Sequence, residues 1–553
     1  MSESGNIPKN ELMDLPEEIL LYILKFVNIS SRYNVSQVCK KFYELVCTLE
    51  RDCLPVELSY EQICDGNIYN SIINTSRMFT DLTIIISVDV VSNIDRILNI
   101  LMKFGGRIEK FTFSIKPKVL ESQLAKMLNY IPNVEKLTFE DICIEHDVNW
   151  SDELHLYKLK KLAIESVNDY PIMFNQVPKD VITDMFIDFS FHENEKNFQQ
   201  FLNRQTQITK LVLDIYCETS LSIVKNFSKL EHLYINFNEE YEMHIAKMIR
   251  QNPKLRSLNL NIIFNDNDDD STGNEIFTSI CELKYLESLD ISIDNISVDV
   301  FKSLTKINNL RELHLNYKYD DDQMDSIIFE LSMMKLLQIE TLSIKTSEPD
   351  ELFYTTIPRE VIFQFSQNFQ NLKHLSFEND SLNIIGTVLK YFIKLETFEF
   401  ECNSLDNDDQ DIFVIDEDLK HENLKEFTVN HIASKNTNSI LNAISACPNL
   451  ELIEIFDICE ITHEEFQQIV DDHPKLKCLR VEMDEFNFQY KTAELIQSAA
   501  RRLQMISLSG LSPFLSFETI KERFKEEFSC IKQNFNETKT AFTLKMKKRG
   551  PYF

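Results

Sequence analysis

The sequence is poor in glycine, in basic residues and in paired cysteines, and each shortage argues against a class of function. Only 8 of its 553 residues are glycine, too few for the glycine-rich loops that bind nucleotide phosphates. Lys and Arg number 57 against 88 Asp and Glu, a net charge of −31, so binding to nucleic acid or to an anionic membrane is not expected. The 12 cysteines include no Cys-x-x-Cys pair. That argues against a zinc ribbon and a disulfide framework, and it indicates a reducing compartment.

Long apolar segments and catalytic motifs are also missing. No stretch reaches the roughly 18 to 20 apolar residues of a membrane span, and the first ten residues lack the apolar core of a signal peptide. The sequence contains no His-Glu-x-x-His, no Gly-x-Ser-x-Gly and no phosphate loop. We therefore predict a non-catalytic protein without a metal site or cofactor, located in the cytoplasm, the nucleus or both.

The N-terminal segment predicts a small helical module. Pro16 can begin a helix because it has no N–H to lose and its φ is already helical. Apolar residues follow at helical spacing, namely Ile19, Leu20, Ile23, Leu24 and Val27. A second helix carries Val35, Val38, Cys39, Phe42, Leu45 and Val46 on one face. A few short helices bury too little apolar surface to be stable alone. We therefore expect a partner to complete the core of the module. A helical cap on the following domain is the alternative.

These residues resemble the F-box motif in order, spacing and type. The matching runs are Leu15-Pro16-Glu17-Glu18-Ile19-Leu20, the pair Ile23 and Leu24, and Val38-Cys39-Lys40-Lys41-Phe42-Tyr43. The resemblance implies that this segment binds a Skp-type adaptor, which bridges to a cullin. The adaptor-binding residues that it implies are Leu15, Pro16, Ile19, Leu20, Ile23, Leu24, Val38, Cys39 and Phe42.

The remainder of the chain repeats one pattern: apolar, two variable, apolar, one variable, apolar. We count roughly 17 copies between Leu82 and Ile506, about 26 residues apart, a period within the leucine-rich-repeat range. Each copy predicts one strand, and a second apolar stretch at helical spacing follows it. The fold class is therefore α/β, a helical module followed by a leucine-rich-repeat solenoid, a horseshoe with a parallel sheet on its concave side.

The same patterns predict five segments along the chain. They are a disordered N-terminus (1–11), the F-box (12–57), a linker or N-terminal cap (58–78), the repeat array (79–515), and a C-terminal cap and tail (516–553). Within the last segment we predict a helix over Phe517 to Asn536 and a strand over Thr540 to Met546.

Acidic residues dominate the positions expected on the concave face. Strand residues alternate, so the residues that flank the third apolar position of each copy should point to that face. The acidic residues there are Glu140, Glu165, Asp188, Asp214, Asp290, Glu378, Glu399, Glu401, Glu454 and Glu482, whereas the basic ones are Lys345 and Arg480. We predict that Glu378, Glu399, Glu401, Glu454 and Glu482 form one continuous stripe that binds a target with a basic surface. The alternative, that the bias merely follows the acidity of the whole chain, stays open.

Together, the two parts resemble the F-box/leucine-rich-repeat family. The resemblance implies the substrate-recognition subunit of a Skp adaptor–cullin–F-box ubiquitin ligase, which holds a target for ubiquitination and proteasomal degradation. Catalysis would then belong to other subunits. Two alternatives remain: a non-degradative F-box/leucine-rich-repeat scaffold, and a GTPase-regulating repeat protein.

Overall fold

The computed structural model divides the chain into two compact units, one extending to Asn238 and the other running from Glu239 to Lys548. Each unit is considered by itself. The structure describes residues 15–27, 29–49, 55–75, 79–86, 94–116, 118–147, 153–167, 170–188, 195–215, 227–238, 242–263, 273–292, 296–317, 321–346, 357–378, 382–402, 418–430, 437–458, 462–485, 499, 502–503, 505–512, 530–536 and 539–547.

The first unit opens with three short helices, α1 (Glu17–Lys25), α2 (Ile29–Ser36) and α3 (Lys40–Leu49). The first of them begins directly after Pro16, as predicted. One cluster forms the core of the module: Leu20, Leu24, Phe42, Leu45 and Val46. The Arg32 side chain donates to the Leu24 and Val27 carbonyl oxygens at 2.9 and 2.7 Å. These bonds tie the start of α2 to the carbonyls at and just beyond the end of α1.

Repeats follow within the same unit. In chain order the elements are β1 (Val56–Ser59), α4 (Tyr60–Cys64), α5 (Gly66–Asn74), β2 (Asp81–Ile86), α6 (Ile94–Phe104), β3 (Lys110–Ile115), β4 (Lys118–Leu120), α7 (Glu121–Leu128), β5 (Lys136–Glu140), β6 (Cys143–Glu145), β7 (Lys161–Glu165), β8 (Asp184–Asp188), α8 (Glu195–Asn203), β9 (Lys210–Ile215) and β10 (His232–Asn238). Strands β1, β2, β3, β5, β7, β8, β9 and β10 pair in that order, each parallel to the next. β4 and β6 form a separate parallel pair.

The sheet begins earlier than the sequence pattern indicated. β1 pairs with β2 in register, Val56 opposite Leu82, so the predicted boundary between residues 57 and 58 cuts a strand. The predicted linker, 58–78, instead contributes β1 together with α4 and α5. The pattern missed this repeat because its strand is only four residues long and directly follows Pro55.

We expect a fragment that begins at Pro55 to unfold at a clearly higher temperature than one that begins at Asn67. The shorter fragment loses Leu58, Tyr60 and Ile63, which are all buried. Each contributes about 1.5 to 3 kcal/mol when fully buried. The loss also uncovers the β2 edge. Thermal unfolding followed by circular dichroism compares the two fragments, and equal midpoints would show that β1 is not part of the array.

The second unit continues the repeat. Its elements are α9 (Glu242–Gln251), β11 (Ser257–Ile263), α10 (Gly273–Cys281), β12 (Ser288–Ser292), α11 (Val298–Phe301), β13 (Glu312–Tyr317), α12 (Asp321–Met333), β14 (Thr341–Thr346), α13 (Arg359–Asn368), β15 (His374–Glu378), α14 (Asn383–Tyr391), β16 (Thr397–Glu401), β17 (Glu426–Asn430), α15 (Thr437–Ser445), β18 (Leu452–Ile458), α16 (His463–Asp472), β19 (Cys478–Glu485), β20 (Met505–Ser512), β21 (Cys530–Asn536) and β22 (Lys539–Lys547). Strands β11 to β20 pair in chain order and are all parallel.

A hairpin ends this sheet. β22 pairs antiparallel with β20 along its length and with β21 on its other side. The predicted strand over Thr540 to Met546 is confirmed. The predicted helix is wrong over residues 530–536, which form β21, because backbone pairing with β22 outweighs the local helical pattern. The rest of that predicted helix, 517–529, lies outside the described residues. The hairpin covers the edge that β20 would otherwise expose.

Asparagine side chains tie successive turns of the repeat together. In five copies the residue before the first apolar position is Asn, and its Nδ2 donates to a backbone carbonyl of the preceding copy at 2.7 or 2.8 Å. The pairs are Asn133 to Gly106, Asn309 to Lys284, Asn371 to Leu337, Asn423 to Ile393, and Asn449 to Glu422. Each bond fixes where one turn sits on the next, which supports a solenoid built from nearest-neighbour contacts.

Candidate adaptor-binding and target-binding surfaces

Helix α1 presents an apolar stripe to solvent. Ile19, Tyr22, Ile23 and Phe26 are between 38% and 61% exposed, and their spacing places them on one side of the helix. The Tyr22 and Phe26 rings contact edge to face, with centroids 5.0 Å apart. The opposite side of α1 buries Leu20 and Leu24 in the module core. A nine-residue helix that is apolar on both sides requires a second surface to cover it.

The structure divides the nine predicted adaptor-binding residues into three groups. Pro16, Ile19, Ile23 and Val38 are exposed, and Leu15 and Cys39 are partly buried against the core. The remaining three, Leu20, Leu24 and Phe42, are buried in the core. These three side chains face the other helices of the module, and their direct contact with an adaptor stays a prediction.

Sequence reasoning missed Tyr22 and Phe26, which complete the exposed stripe. The available signal was their spacing, three and seven residues after Ile19, which places all of them on one helical side. Both residues also have aromatic rings, and aromatic side chains are enriched where proteins bind each other.

The F-box domain family matches residues 12–54, the segment that contains α1, α2 and α3. This chain carries an F-box domain. The F-box is followed by leucine-rich repeats, as the strand order and the spacing of the two units show. No curated protein sequence matches the chain.

Solved structures resemble this chain at low identity. A leucine-rich-repeat protein of Leptospira interrogans is 13% identical, with a TM-score of 0.37 over 82% of this chain and 100% of that one. The complex of Rad7 and Elc1 in yeast contains a chain that is 14% identical, with a TM-score of 0.32 over 86% of this chain and 94% of that one. The likeness concerns the fold alone.

The five acidic residues predicted to line the concave face of the F-box protein lie in two rows, not in one stripe. Glu399 and Glu454 share a row with Thr428, which pairs with both. Glu378 lies opposite Glu401 in the next row, and Glu482 occupies the same strand position in β19. The expectation of a single stripe is wrong because these residues flank the third apolar position on both sides. Two residues along a strand separate the rows by about 6.6 Å.

Basic and hydroxyl side chains already contact the first of these rows. Lys345 Nζ lies 3.0 Å from Glu399 Oε1, and Ser376 Oγ donates to Glu399 Oε2 at 2.8 Å. Arg480 lies 3.9 Å from Glu454. In the second row Glu378 is only 3% exposed. The two basic residues noted in the sequence therefore offset this part of the acidic bias.

The first unit holds a row of four acids that have no ion pair with Lys or Arg among the described residues. Glu140, Glu165, Asp188 and Asp214 lie directly opposite one another on β5, β7, β8 and β9. Adjacent strands are about 4.8 Å apart, so the four carboxylates span about 14 Å. Among the residues described in this unit, no Lys or Arg forms an ion pair with them. We call this set the acidic row.

Burial and mutual repulsion both act on the acidic row. Burial raises the pKa of Glu165, and the neighbouring Glu140 and Asp188 carboxylates raise it further, against a lowering effect of Lys136. Burial also raises the pKa of Asp214, although a hydrogen bond from the Asn236 amide opposes that rise. An approaching cation would relieve the repulsion, since opposite charge favours the ionised carboxylate.

Another row of charged residues, which the sequence predictions did not include, runs along the second unit. The residue after the first apolar position alternates in sign over nine copies: Arg256, Glu287, Arg311, Glu340, Lys373, Glu396, Lys425, Glu451 and Lys477. Glu340 accepts from Lys373 at 2.6 Å and lies 3.4 Å from Arg311. The hydrogen bond from Lys373 lowers the pKa of Glu340. We call this set the alternating ladder. If one copy paired with the copy two places further along the chain, residues of the same charge would lie opposite each other. The ladder therefore disfavours slipped pairings between repeats.

Replacing Glu340 with Lys should destabilise the second unit by about 1 to 2 kcal/mol at low salt. The change removes two ion pairs and sets three cations side by side, and each exposed pair contributes at most about 1 kcal/mol. Urea unfolding at low and high salt measures the change in the free energy of unfolding. Glu340→Gln is the control, because it removes the ion pairs without adding repulsion. If Lys and Gln variants unfold alike at both salt concentrations, the ladder has no electrostatic role.

Other site types find no support within the described part of the chain. No helix there is long and apolar enough to cross a bilayer. Those residues also contain no group of three His, Cys, Asp or Glu placed to bind a metal ion.

Proposed function

We propose that this protein is the substrate-recognition subunit of a Skp adaptor–cullin–F-box ubiquitin ligase, acting in the cytoplasm, the nucleus or both. The observation that carries the proposal is the exposed stripe of α1, which lies within the segment that matches the F-box domain. F-box domains bind Skp-type adaptors, and an apolar stripe on a helix suits the groove of a partner.

The chain contributes no chemistry in this scheme. The adaptor and cullin hold the F-box on one side, and the repeats hold a target protein on the other. The target lysines then encounter the charged ubiquitin-conjugating enzyme at a high effective concentration. The other subunits catalyse ubiquitin transfer, and the repeats of this chain select which target protein is modified.

For the target we propose a protein with a basic surface, recognised chiefly by the acidic row. Glu140, Glu165 and Asp188 support this choice because they are contiguous and lack ion pairs within the described residues. In the second unit, Glu401 and Glu482 are proposed as a separate target-binding surface. Such a face accelerates encounter with a basic partner and rejects acidic ones.

Reconstitution tests the proposal. The full chain is mixed with a Skp-type adaptor, a cullin and its RING subunit, and the complex is isolated by size exclusion. Ubiquitin transfer to proteins that co-purify with the chain from proteasome-inhibited cells is then followed. A chain that never assembles with the adaptor refutes the ligase role. A chain that assembles but whose bound proteins are neither ubiquitinated nor degraded is a scaffold.

A further inference from the structure

The solvent-facing side of the second unit carries an apolar patch on three consecutive helices. Helices α12, α13 and α14 pack side by side. Their outward side chains, together with the residue two positions after α14, are Phe329, Met333, Phe363, Tyr391 and Ile393, and these are between 38% and 67% exposed. The same helices bury Ile328, Leu331, Ile362, Phe365, Val388 and Leu389 beneath them. The repeat core is therefore complete without the five exposed residues, and repeat folding does not explain them.

Two aromatic rings of the patch are in contact, and two of its residues hold equivalent places in adjacent helices. The Phe363 and Tyr391 rings meet edge to face between α13 and α14, with centroids 4.9 Å apart. Phe329 and Phe363 hold equivalent places in their helices, because the backbone carbonyl oxygen of each accepts a hydrogen bond from the side-chain hydroxyl of the serine three residues later. Ser332 Oγ donates to Phe329 at 2.6 Å and Ser366 Oγ to Phe363 at 2.7 Å. Helix α11, which packs against α12, exposes Asp299.

Cations surround the patch, although the chain as a whole is strongly acidic. Lys335, Arg359, Lys390 and Lys394 are exposed, and each lies within four residues of a patch residue along the chain. Lys390 Nζ lies 5.8 Å from the centre of the Tyr391 ring. The carboxylates among the described residues here are Glu360 and Glu330, and Glu330 pairs with Lys302 at 3.6 Å. The acidic residues at the start of α12, from Asp321 to Asp325, lie about 12 to 6 Å along the helix from Phe329. An apolar centre with cations at its edge favours a partner whose own apolar side is flanked by acidic residues.

We propose that this patch docks an amphipathic helix of a partner protein, with its apolar side on the five exposed residues and an acidic flank beside the lysines. Grooves between parallel helices accept such a helix through anchors at i, i+3, i+4 and i+7. A second copy of this chain fits less well, because pairing two patches would bring two cationic rims together. The surface is separate from the acidic row and from the F-box stripe, so it adds a binding partner to the proposed function.

A pair of designed peptides provides the test with the full-length protein. Both are helical with the same Leu and Phe side, but one is flanked by Glu and the other by Lys. Fluorescence anisotropy should show the Glu-flanked peptide binding about tenfold or more tightly than the Lys-flanked one. Replacing Phe329, Phe363 and Ile393 with Gln should weaken that binding about tenfold or more. Replacing Met243 and Tyr285 with Gln removes exposed apolar side chains elsewhere in the unit and should leave binding unchanged.

Charge reversal gives an independent arm. Changing Lys390 and Lys394 to Glu should invert the preference between the peptides, and such exposed substitutions leave the melting temperature nearly unchanged. Equal affinity for both peptides, or binding that survives the Phe and Ile substitutions, overturns the proposal. Preferential binding to phosphatidylserine vesicles, or patch-dependent self-association in sedimentation, overturns it in favour of a membrane or a second copy.

Discussion

Replacing Ile19 and Phe26 with lysine is expected to abolish binding of a Skp-type adaptor while the repeats remain folded. Both side chains are exposed on α1, so their loss leaves the module core intact. Interface anchors of this kind contribute about 2 kcal/mol or more each, and two buried ammonium groups add a desolvation cost. The adaptor affinity should fall about 1,000-fold or more. Calorimetry or surface plasmon resonance with the purified adaptor measures it.

Two controls separate contact residues from core residues. Met102→Lys changes an equally exposed apolar residue outside the F-box and should leave adaptor binding untouched. Leu20→Ala or Leu24→Ala removes a core side chain and should cost about 2 to 5 kcal/mol of module stability. Excess adaptor should restore binding to these core variants, because it stabilises the folded module by mass action. Full adaptor binding by the Ile19 and Phe26 double variant would place the interface elsewhere.

Replacing Glu140, Glu165 and Asp188 with lysine is expected to eliminate capture of a basic target. The change places like charges across the interface at three adjacent strands, which costs several kcal/mol. We expect a loss of about 100-fold or more, mainly in the association rate and most severe at low salt. The target identified by co-purification serves as the ligand. Glu399→Lys with Glu454→Lys is the matched control, and its effect should be smaller because both carboxylates already pair with cations.

The pH dependence of the acidic row provides a second check on the same residues. The pKa of Glu165 is raised in the folded chain, chiefly by burial. As the pH falls through this raised pKa, the carboxylate is neutralised and target capture should weaken. Folding stability should change in the opposite direction. A raised acid pKa favours the folded state below the ordinary pKa, and this contribution is lost as the pH rises through the raised value. Target capture that is indifferent to pH, salt and the triple variant would show that the acidic row is only solvated.

Much of the architecture follows from local sequence patterns. The run from Leu15 to Leu20 and the pair Ile23 and Leu24 predict the F-box helix, because a 3.6-residue period and an N-terminal proline are local properties. The recurring apolar triplets predict the strands, since each repeat contains its own signal and the period identifies the fold. The alternating ladder can also be read from the sequence, because its residues occupy the same position of each repeat. The alternation of charge is visible only when neighbouring copies are aligned.

Tertiary structure decided which of these residues face a partner. A helical period shows that Ile19, Leu20, Ile23 and Leu24 are apolar, but only packing against α3 determines that Leu20 and Leu24 are buried while Ile19 and Ile23 are exposed. Likewise, the sequence lists the acidic residues expected on the concave face but not the register of their strands. That register separates them into two rows, and the fold brings Lys345 into an ion pair with Glu399. Among the described residues, the acids of β5, β7, β8 and β9 form the row without ion pairs. Contacts between residues roughly 20 to 55 positions apart set these outcomes, and a single repeat does not encode which copy it will meet.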